Sequence, residues 1–254
     1  MISCLTITQE GKLEELARAI HCFDGQTFEE RELLILHDGS DRFHDDIREL
    51  LARYRSAALR VKRAPRGLTL GALRNLSVQL ATYDIICQWD DDDLYHPKRL
   101  EAQYDALQRE GADFCFFTDQ LHFFETSREL FWDDWTVESY PMSLIQGTLM
   151  GRRDKLGKYG NVARGEDTPV VADLVQRGCR VAELRGRGYL YIYVYNGRNA
   201  WEYEHHRAIS TWKGLRKARL LEREGELRRH LRDYGLELAS VVFPHEDGAL
   251  EIRI

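Results

Sequence analysis

The sequence predicts an α/β protein with a mainly parallel sheet that helices cover on both faces. Over residues 1–119, short apolar runs alternate with amphipathic segments at helical spacing. Only a few residues connect these segments, which is typical of strand–helix–strand units. Hydrophobic residues make up 43% of the 254 residues, so the chain can bury a sizeable core.

The predicted elements of this first part follow one another in strict alternation. The strands are expected at 2–8, 30–40, 58–64, 83–89 and 112–119. The helices are expected at 12–23, 42–55, 69–81 and 97–110, the last opening at Pro97 because proline suits the first helical turn.

The pattern changes after residue 119. We expect a hairpin at 122–135, a strand and turn at 143–156, a helix at 165–178, and strands at 179–184 and 189–195. One cationic helix is expected at 211–235, followed by a pair of short terminal strands. The chain is therefore divided into a domain at 1–207, with halves 1–119 and 120–207, and an extension at 208–254.

Composition and charge exclude several classes of protein. A net charge of −6 is untypical of a general nucleic-acid binder, so no nucleic-acid partner is expected. Five cysteines without a CxxC spacing indicate free thiols in a reducing compartment. No signal peptide and no run of 18 apolar residues is present, so a cytoplasmic location is expected.

Polar residues follow three of the predicted strands. Thr8 ends the first, Asp38 the second, and Asp90–Asp93 the fourth. Ligands of parallel sheets bind beyond the carboxyl ends of the strands, so these residues are expected at one edge as a binding site.

The four consecutive aspartates have two open interpretations: a solvated acidic turn, or a cation site. If the strand continues, side chains alternate, so Asp90 and Asp92 share a face and Asp91 points away. Carboxylates at that spacing suit Mg²⁺ or Mn²⁺ beside a diphosphate. Asp93 is instead expected to stabilise the start of the helix at Pro97. The spacing fits neither a DDxxD motif nor an EF-hand loop.

Taken in order, these motifs resemble the family 2 glycosyltransferases of the GT-A fold. The matching pieces lie mostly in the first half and thin out after residue 120: TIT (6–8), Gln26-Thr27, ELLILHDGS (32–40), Arg74-Asn75, WDDDDLYHPKRL (89–100), GED (165–167) and YVYNGRNAWEYEH (193–205). Three residues depart from the family pattern: His37 replaces an acid, and Asn196 and Ala200 stand where His and Thr are common.

The resemblance implies a role for each matching residue. Asp167 is the general base with Glu166 beside it, and Asp92 and His205 bind Mn²⁺ or Mg²⁺. Six residues bind the nucleotide: Thr8, Asp38, Gly39, Arg74, Asp90 and Asp91. The halves 1–119 and 120–207 then bind the nucleotide-sugar and the acceptor, respectively.

The function expected from the resemblance is inverting, metal-dependent transfer of a hexose-type sugar. The donor is a nucleotide-sugar, with UDP expected, and the acceptor is a carbohydrate or lipid-linked molecule in surface polysaccharide or glycoconjugate synthesis. The alternatives are a nucleotidyltransferase, although TQEGKLEEL (8–16) is a poor phosphate loop, and an inactive nucleotide-sugar-binding or scaffold protein.

The extension has a basic face and a leucine stripe, at Leu215, Leu220, Leu227 and Leu231. A basic amphipathic helix suits packing on the domain, contact with the inner face of a membrane, or self-association. All three interpretations are open from the sequence.

Overall fold

The computed structural model describes residues 1–54, 58–235, 240–245 and 248–253, and these form two sheets with flanking helices. The strands are β1 (Ile2–Ile7), β2 (Arg31–His37), β3 (Leu59–Arg63), β4 (Ile85–Gln88), β5 (Leu94–Tyr95), β6 (Phe114–Phe117), β7 (Asp119–Phe124), β8 (Glu129–Asp134), β9 (Met150–Arg152), β10 (Val181–Leu184), β11 (Tyr191–Tyr195), β12 (Ser240–Phe243) and β13 (Leu250–Arg253). The α-helices are α1 (Leu13–Asp24), α2 (Asp41–Leu51), α3 (Leu70–Leu80), α4 (Arg99–Glu110), α5 (Asp167–Gln176), α6 (Tyr203–Lys213), α7 (Lys217–Glu222) and α8 (Glu224–Arg232).

The larger sheet has the order β10-β6-β9-β4-β1-β2-β3 within the described ranges. Strands β4, β1, β2 and β3 are parallel neighbours, as the alternation of strands and helices predicts. Their carboxyl ends therefore meet at one edge of the sheet. This register brings Thr8, Asp38 and the four aspartates to neighbouring strand ends.

Strand β9 is the exception to the parallel order, since it runs antiparallel to β4 and β6. Gly151 lies in this strand, where a β-carbon would come 2.6 Å from the carbonyl oxygen of Asp113. Only glycine lets the backbones approach this closely. A segment from the second half of the chain thus completes the sheet.

The smaller sheet has the order β13-β12-β8-β7-β11-β5 within the described ranges. Strands β7 and β8 form the hairpin expected near 122–135. Strands β12 and β13 form the expected terminal pair, and among the described residues β12 pairs with β8 where Val242 meets Glu129. The extension therefore packs on the domain through both strands and helices.

The single helix expected at 211–235 is wrong. Helix α6 ends at Lys213, because the backbone of Gly214 pairs with Asp133 and the amide of Leu215 donates to the carbonyl of Trp132 at 2.8 Å. Helices α7 and α8 follow as separate pieces. Tertiary hydrogen bonding to the end of β8 has overridden the local helical pattern.

The helix expected to open at Pro97 begins at Arg99 instead. The carbonyl of His96 accepts from Nε2 of Gln26 at 2.8 Å, and that of Pro97 accepts from the amide of Thr27 at 2.8 Å. The carbonyl of His96 also accepts from the amide of Arg99 at 2.9 Å in a tight turn. The amide of Leu100 donates to Oε1 of Gln26 at 3.1 Å, so a bond to Gln26 replaces the first hydrogen bond of a helix that would start at Pro97.

Two further expectations concern the whole chain. All five cysteines lie in the described ranges and carry free thiols, as expected, while the reducing compartment stays a prediction. Among the residues that the structure describes, no helix has the length and apolar character needed to cross a bilayer.

Candidate functional site

The four aspartates lie in a turn rather than in a continuing strand. Strand β4 ends at Gln88, and residues 91 and 92 form the turn. Asp91 and Asp92 therefore converge on one lysine, while Asp90 faces an arginine. The expectation that Asp90 and Asp92 share a face is wrong, because the alternation of a strand no longer applies.

Asp90 is held on both carboxylate oxygens. Its Oδ1 accepts from Nη2 of Arg74 at 3.0 Å, and its Oδ2 accepts from Nε2 of Gln88 at 2.9 Å. Its carbonyl oxygen accepts from the hydroxyl of Tyr95 at 2.9 Å. Gly147 packs beside this carboxylate, since a β-carbon there would lie 3.6 Å from Oδ2 and 3.3 Å from the hydroxyl of Tyr191.

Asp91 and Asp92 share the ammonium group of Lys12. Nζ lies 2.8 Å from Oδ2 of Asp92 and 3.3 Å from Oδ1 of Asp91. Burial lowers the pKa of Lys12, but the attraction of Asp92 and Asp91 is stronger and raises it overall. Burial and the charge of Asp92 raise the pKa of Asp91 to about 7, against the opposing effect of Lys12.

Asp93 does not serve the start of α4, contrary to the expectation. Its carboxylate is buried and accepts from the hydroxyl of Tyr191 at 2.5 Å and from the amide of Val194 at 3.0 Å. Burial, followed by the charges of Asp92 and Asp90, raises its pKa well above the ordinary value. Asp93 ties the turn to β11 and is unavailable to solvent.

Arg74 joins α3 to the start of α5. Its Nε donates to Oε1 of Glu166 at 2.6 Å, while Nη2 reaches Asp90. Burial lowers the pKa of Arg74, but the neighbouring acids and Tyr159 raise it overall, so the guanidinium stays charged. The carboxylate of Glu166 is 3% exposed and is engaged by this pair.

Asp167 is the member of the Glu-Asp pair that is not bound to Arg74. Its Oδ1 accepts from the amide of Thr168 at 2.8 Å, and the side chain is half-buried at the first turn of α5. Burial and then the charge of Glu166 raise its pKa, against the effect of Arg74. A carboxylate whose pKa is raised is suited to accepting a proton.

The ends of β1 and β2 form the other side of the site. Thr8 is 3% exposed, and its amide donates to the carbonyl of Leu36 at 3.0 Å. Asp38 is half-exposed, and its Oδ2 accepts from the amide of Gly67 at 3.0 Å. Gly39 donates its amide to Nδ1 of His37 at 3.2 Å.

His37, which stands where related sequences have an acid, is a packing residue here. Its Nε2 lies 3.0 Å from Nδ1 of His44, and its ring contacts Phe43 edge to face. Burial, then the charges of His44 and Arg63, lower its pKa to about 4, so the ring is neutral near pH 7.

His205 lies on the exposed side of α6. Its ring stacks on Trp201 with centroids 4.9 Å apart, and the guanidinium of Arg164 lies 4.5 Å over Trp201. The neighbouring His206 is buried, and burial followed by the charges of His122 and His205 lowers its pKa to about 3. The described contacts of His205 include none of the four aspartates, so its metal role stays a prediction.

A second group of donor atoms joins α8 to the loop before α4. His96 Nε2 lies 3.0 Å from Asp233 Oδ2 and 3.0 Å from His230 Nδ1, spacings that could hold a metal ion. The amide of Lys98 donates to Nδ1 of His96 at 3.1 Å, so the ring proton is on Nε2 and is shared with Asp233 and His230. The polar atoms of these three side chains therefore bond to one another, and they link the end of α8 to the loop before α4.

The acidic turn fits a hard divalent cation. Asp91 is 4% exposed, and its Oδ2 completes no hydrogen bond with a described residue, although the Thr8 hydroxyl is near enough to lower its pKa. Buried carboxylate oxygens normally have a donor or a cation. Asp91 and Asp92 already converge on a positive charge, and carboxylate oxygens are the ligands that Mg²⁺ and Mn²⁺ prefer.

Sequence reasoning missed Lys12, Gln88 and Tyr191, whose side chains bind the aspartates. It also missed Tyr159, over whose ring the guanidinium of Arg74 lies. Lys12 had one available signal, because it follows Thr8 closely in the connection from β1 to α1. The two tyrosines arrive from distant segments, and nothing local in the sequence indicates their partners.

One family model and several solved structures match this chain. The model of glycosyl transferase family 2 matches residues 4–159. The comparison with curated proteins by sequence gives no match.

Several solved structures share the fold. S. aureus TarS 1-349 in complex with UDP-GlcNAc has a TM-score of 0.62 at 15% identity, over 92% of this chain and 72% of that one. Mannosyltransferase PcManGT from Pyrobaculum calidifontis, in complex with GDP-Man and Mn²⁺, has a TM-score of 0.58 at 12% identity, over 92% and 72%. GalNAc-T7 with UDP, GalNAc and Mn²⁺ has a TM-score of 0.59 at 12% identity, over 77% and 44%. The likeness is one of fold, and it confirms the GT-A class.

Proposed function

The chain belongs to glycosyl transferase family 2, and from that premise we propose that it moves a hexose-type sugar from a nucleotide-sugar to a hydroxyl acceptor with inversion. UDP-sugars are the proposed donors, and a carbohydrate or lipid-linked molecule in surface polysaccharide or glycoconjugate synthesis is the proposed acceptor. One observation carries the proposal. Asp38, Asp90 and the pair Asp91–Asp92 lie at neighbouring strand ends, and Arg74 links Asp90 to the helix that carries Asp167.

In this proposal the ends of β1 and β2 bind the base. Asp38 is exposed enough to accept an N–H from uracil, and Thr8 and Gly39 line the same edge. Asp90 contacts the ribose, and Arg74 fixes its orientation. Because Arg74 and Gln88 already hold the Asp90 side chain, less conformational entropy is lost when the donor binds.

Asp92, with Asp91, would hold the divalent cation, with His205 as a further proposed ligand. The cation would supply positive charge next to the diphosphate as the leaving group develops negative charge. Mn²⁺ and Mg²⁺ both suit this donor set.

Asp167 is the proposed general base. It takes the proton of the acceptor hydroxyl while the hydroxyl oxygen bonds to the anomeric carbon and the sugar–phosphate bond breaks. Glu166 is not a second base in this scheme, because Arg74 engages its carboxylate, and it serves as a positioning residue.

Donor binding is the first test. Titrating UDP, GDP and dTDP in the presence of Mn²⁺ is expected to give one nucleotide that stabilises the folded protein, by about 2.7 kcal/mol at 100 times Kd. Asp38→Asn should weaken binding of that nucleotide at least about tenfold, because a hydrogen bond to a charged group contributes about 1.5–3 kcal/mol and about 1.4 kcal/mol is tenfold in Kd. Asp84→Asn, whose side chain is 95% exposed, is the matched control. Binding of no nucleotide would contradict the proposal.

Transfer is the second test. Asp167→Asn is expected to retain donor binding and to lose about 10²–10⁴-fold in kcat, the usual contribution of a general base. Asp173→Asn in the same helix, an exposed partner of Arg177, should leave kcat unchanged. Full activity of Asp167→Asn would remove the assigned base.

The identity of the products separates the proposal from the alternatives. A glycosyltransferase releases a nucleoside diphosphate and a glycoside, whereas a nucleotidyltransferase releases pyrophosphate. Release of pyrophosphate, or tight donor binding with neither product, would overturn the proposed reaction.

We place the protein in the cytoplasm, with residues 208–254 as the candidate contact for the inner membrane face or a second copy. The basic charge there is partly cancelled, since Arg219, Arg223 and Arg228 each pair with a glutamate one turn away.

Trp212, 65% exposed, is the apolar residue to test. Trp212→Ser should reduce binding to anionic vesicles or self-association, and no change in either would remove this role for Trp212.

A further inference from the structure

The ammonium group of Lys12 occupies the space between Asp91 and Asp92. Lys12 is the N-cap residue of α1, in the short connection that follows β1. Its side chain is 14% exposed and those of Asp91 and Asp92 are 5% and 14% exposed, so the contact is largely shielded from solvent. This cation comes from the chain itself.

The carboxylate pair has capacity for more positive charge than one ammonium supplies. When both are ionised, the two carboxylates carry one negative charge more than one lysine neutralises. Oδ2 of Asp91 is buried and completes no hydrogen bond with a described residue. An unpartnered oxygen inside a charged cluster is an independent sign that a further ligand belongs there.

A divalent cation and the ammonium group cannot share this space. Both would contact the same carboxylate oxygens in a region largely shielded from solvent, where repulsion between cations is weakly screened. The backbone beside Lys12 is held in place, because Nη1 of Arg198 donates to the carbonyl of Gly11 at 2.8 Å. The flexible four-carbon stem of the lysine is therefore the part that can move.

We propose that Lys12 is a tethered competitor of the divalent cation. It fills the acidic turn in the metal-free protein, and the metal binds Asp91 and Asp92 only when the ammonium leaves. The inference rests on the proposed function for the identity of the metal, and it adds a regulation of that site. The ammonium keeps the two carboxylates together without metal and lowers the affinity for metal.

Metal affinity of the protein alone is the direct test. Free Mn²⁺ is measured by electron paramagnetic resonance during titration of the full chain, without nucleotide. Lys12→Met, which keeps the length but removes the charge, is expected to bind Mn²⁺ at least about tenfold more tightly than the wild type. Equal or weaker binding by Lys12→Met would overturn the inference.

The chain offers a matched control for this substitution. Lys155 Nζ lies 2.7 Å from Oδ1 of the buried carboxylate of Asp113, away from the acidic turn. Lys155→Met also leaves a buried aspartate without its lysine, and it should not change the affinity for Mn²⁺. A gain in Mn²⁺ affinity as large as that of Lys12→Met would mean that net charge, rather than competition, explains the effect, and would overturn the inference.

A measurement on the wild-type protein covers the case in which Lys12→Met does not fold. The rate of acetylation of each lysine by acetic anhydride is followed by mass spectrometry with and without Mn²⁺. We expect Mn²⁺ to raise the rate at Lys12 at least about threefold and to leave Lys155 unchanged. A rate at Lys12 that stays the same, or falls, under saturating Mn²⁺ would show that the ammonium does not leave.

The outcomes distinguish this inference from the proposed function. If Lys12→Met binds Mn²⁺ no better while the wild type transfers sugar, the competition is refuted and the transferase stands. If Lys12→Met binds Mn²⁺ more tightly while the wild type binds no nucleotide, the competition stands and the transferase is refuted.

Discussion

Nε of Arg74 lies 2.6 Å from Oε1 of Glu166, and this buried ion pair joins α3 to α5 across 92 positions of the chain. The same guanidinium reaches Asp90 at 3.0 Å. One cation thus sets the distance between the end of β4 and the helix that carries Asp167. Glu166 and Asp167, which are alike in the sequence, have different roles because only one is engaged by Arg74.

Arg74→Ala is therefore expected to destabilise the fold. The substitution leaves Glu166 buried without a positive partner, and breaking a buried pair on one side costs about 3–5 kcal/mol. Urea unfolding followed by circular dichroism measures the change. Arg152→Ala removes an exposed pair with Asp154 and should cost at most about 1 kcal/mol. A loss equal to that of Arg152→Ala would show that the Arg74 pair does not stabilise the fold.

The dependence of transfer on pH should reveal the surroundings of Asp167. Its pKa is raised by burial and then by Glu166, so transfer should decline with falling pH at a higher pH than an ordinary aspartate, about 3.9, would give. Glu166→Gln removes the charge that raises this pKa and releases Arg74, which lowers it. Both effects should shift the decline of kcat/KM on the acid side, the acid limb of its pH profile, to lower pH. Asp173→Asn should leave the limb in place, and a limb unmoved by Glu166→Gln would refute the coupling.

The same raised pKa has a consequence for stability. Because the folded state favours the protonated form of Asp167, its contribution to stability is present at low pH and is lost as pH rises through the folded pKa. Asp167→Asn should abolish this loss, so the variant is expected to gain stability relative to the wild type as pH rises. Unfolding midpoints measured across that range test the sign.

Gly71 is expected to tolerate no side chain. A β-carbon there would collide with the carbonyl oxygen of Gly160, and the amide of Gly71 donates to the carbonyl of Val162 at 3.2 Å. Gly71→Ala should therefore destabilise the protein by about 1–3 kcal/mol, the usual effect of overpacking. Urea midpoints give the measurement.

Gly225→Ala is the matched comparison, with the opposite sign. Gly225 lies in α8, where an added β-carbon meets nothing within 4 Å. Alanine should stabilise this helix by roughly 0.5–1 kcal/mol. Destabilisation by Gly225→Ala, or a neutral Gly71→Ala, would contradict the packing described for these helices.

Glu32 should stabilise the larger sheet near neutral pH and lose this contribution in acid. Its carboxylate accepts from Ser3 Oγ at 2.6 Å, from Arg60 Nη1 at 2.6 Å and from the amide of Thr82 at 2.7 Å. Burial raises the pKa of Glu32, but these bonds are stronger and lower it. The stabilisation is therefore present above the unfolded value of about 4.3 and is lost as pH falls through the folded pKa.

Glu32→Gln tests this directly. The variant should lose about 1.5–3 kcal/mol near pH 7, because hydrogen bonds to a charged group are removed, and its stability should depend less on pH in acid. Glu30→Gln, whose side chain is 67% exposed, is the control. A Glu32→Gln variant with the acid sensitivity of the wild type would contradict the role of the carboxylate.

Much of the first half could be predicted because its signals are local. Apolar periodicity located β1 to β4 and α1 to α4, and polar residues at strand ends located Thr8, Asp38 and the aspartates. Parallel pairing then carries those ends to one edge, since neighbouring parallel strands finish on the same side. The terminal strand pair and the hairpin at β7–β8 followed from equally local patterns.

The errors arose where a distant partner outweighs the local pattern. The backbone bonds of residues 214 and 215 to the end of β8 divide the helix expected at 211–235. The side chain of Gln26 accepts from the amide of Leu100, which a helix from Pro97 would bond to the carbonyl of His96, and α4 begins at Arg99 instead.

The sequence alone determined which strand ends carry charge, because alternation and turn chemistry act over a few residues. Only the tertiary structure decided what each charge meets: Lys12 between Asp91 and Asp92, Arg74 between Asp90 and Glu166, and Tyr191 on Asp93. The physical reason is that the sequence around a carboxylate does not specify which group will bind it in the folded protein. Burial against segments far away in the chain sets both its pKa and the role that remains open to it.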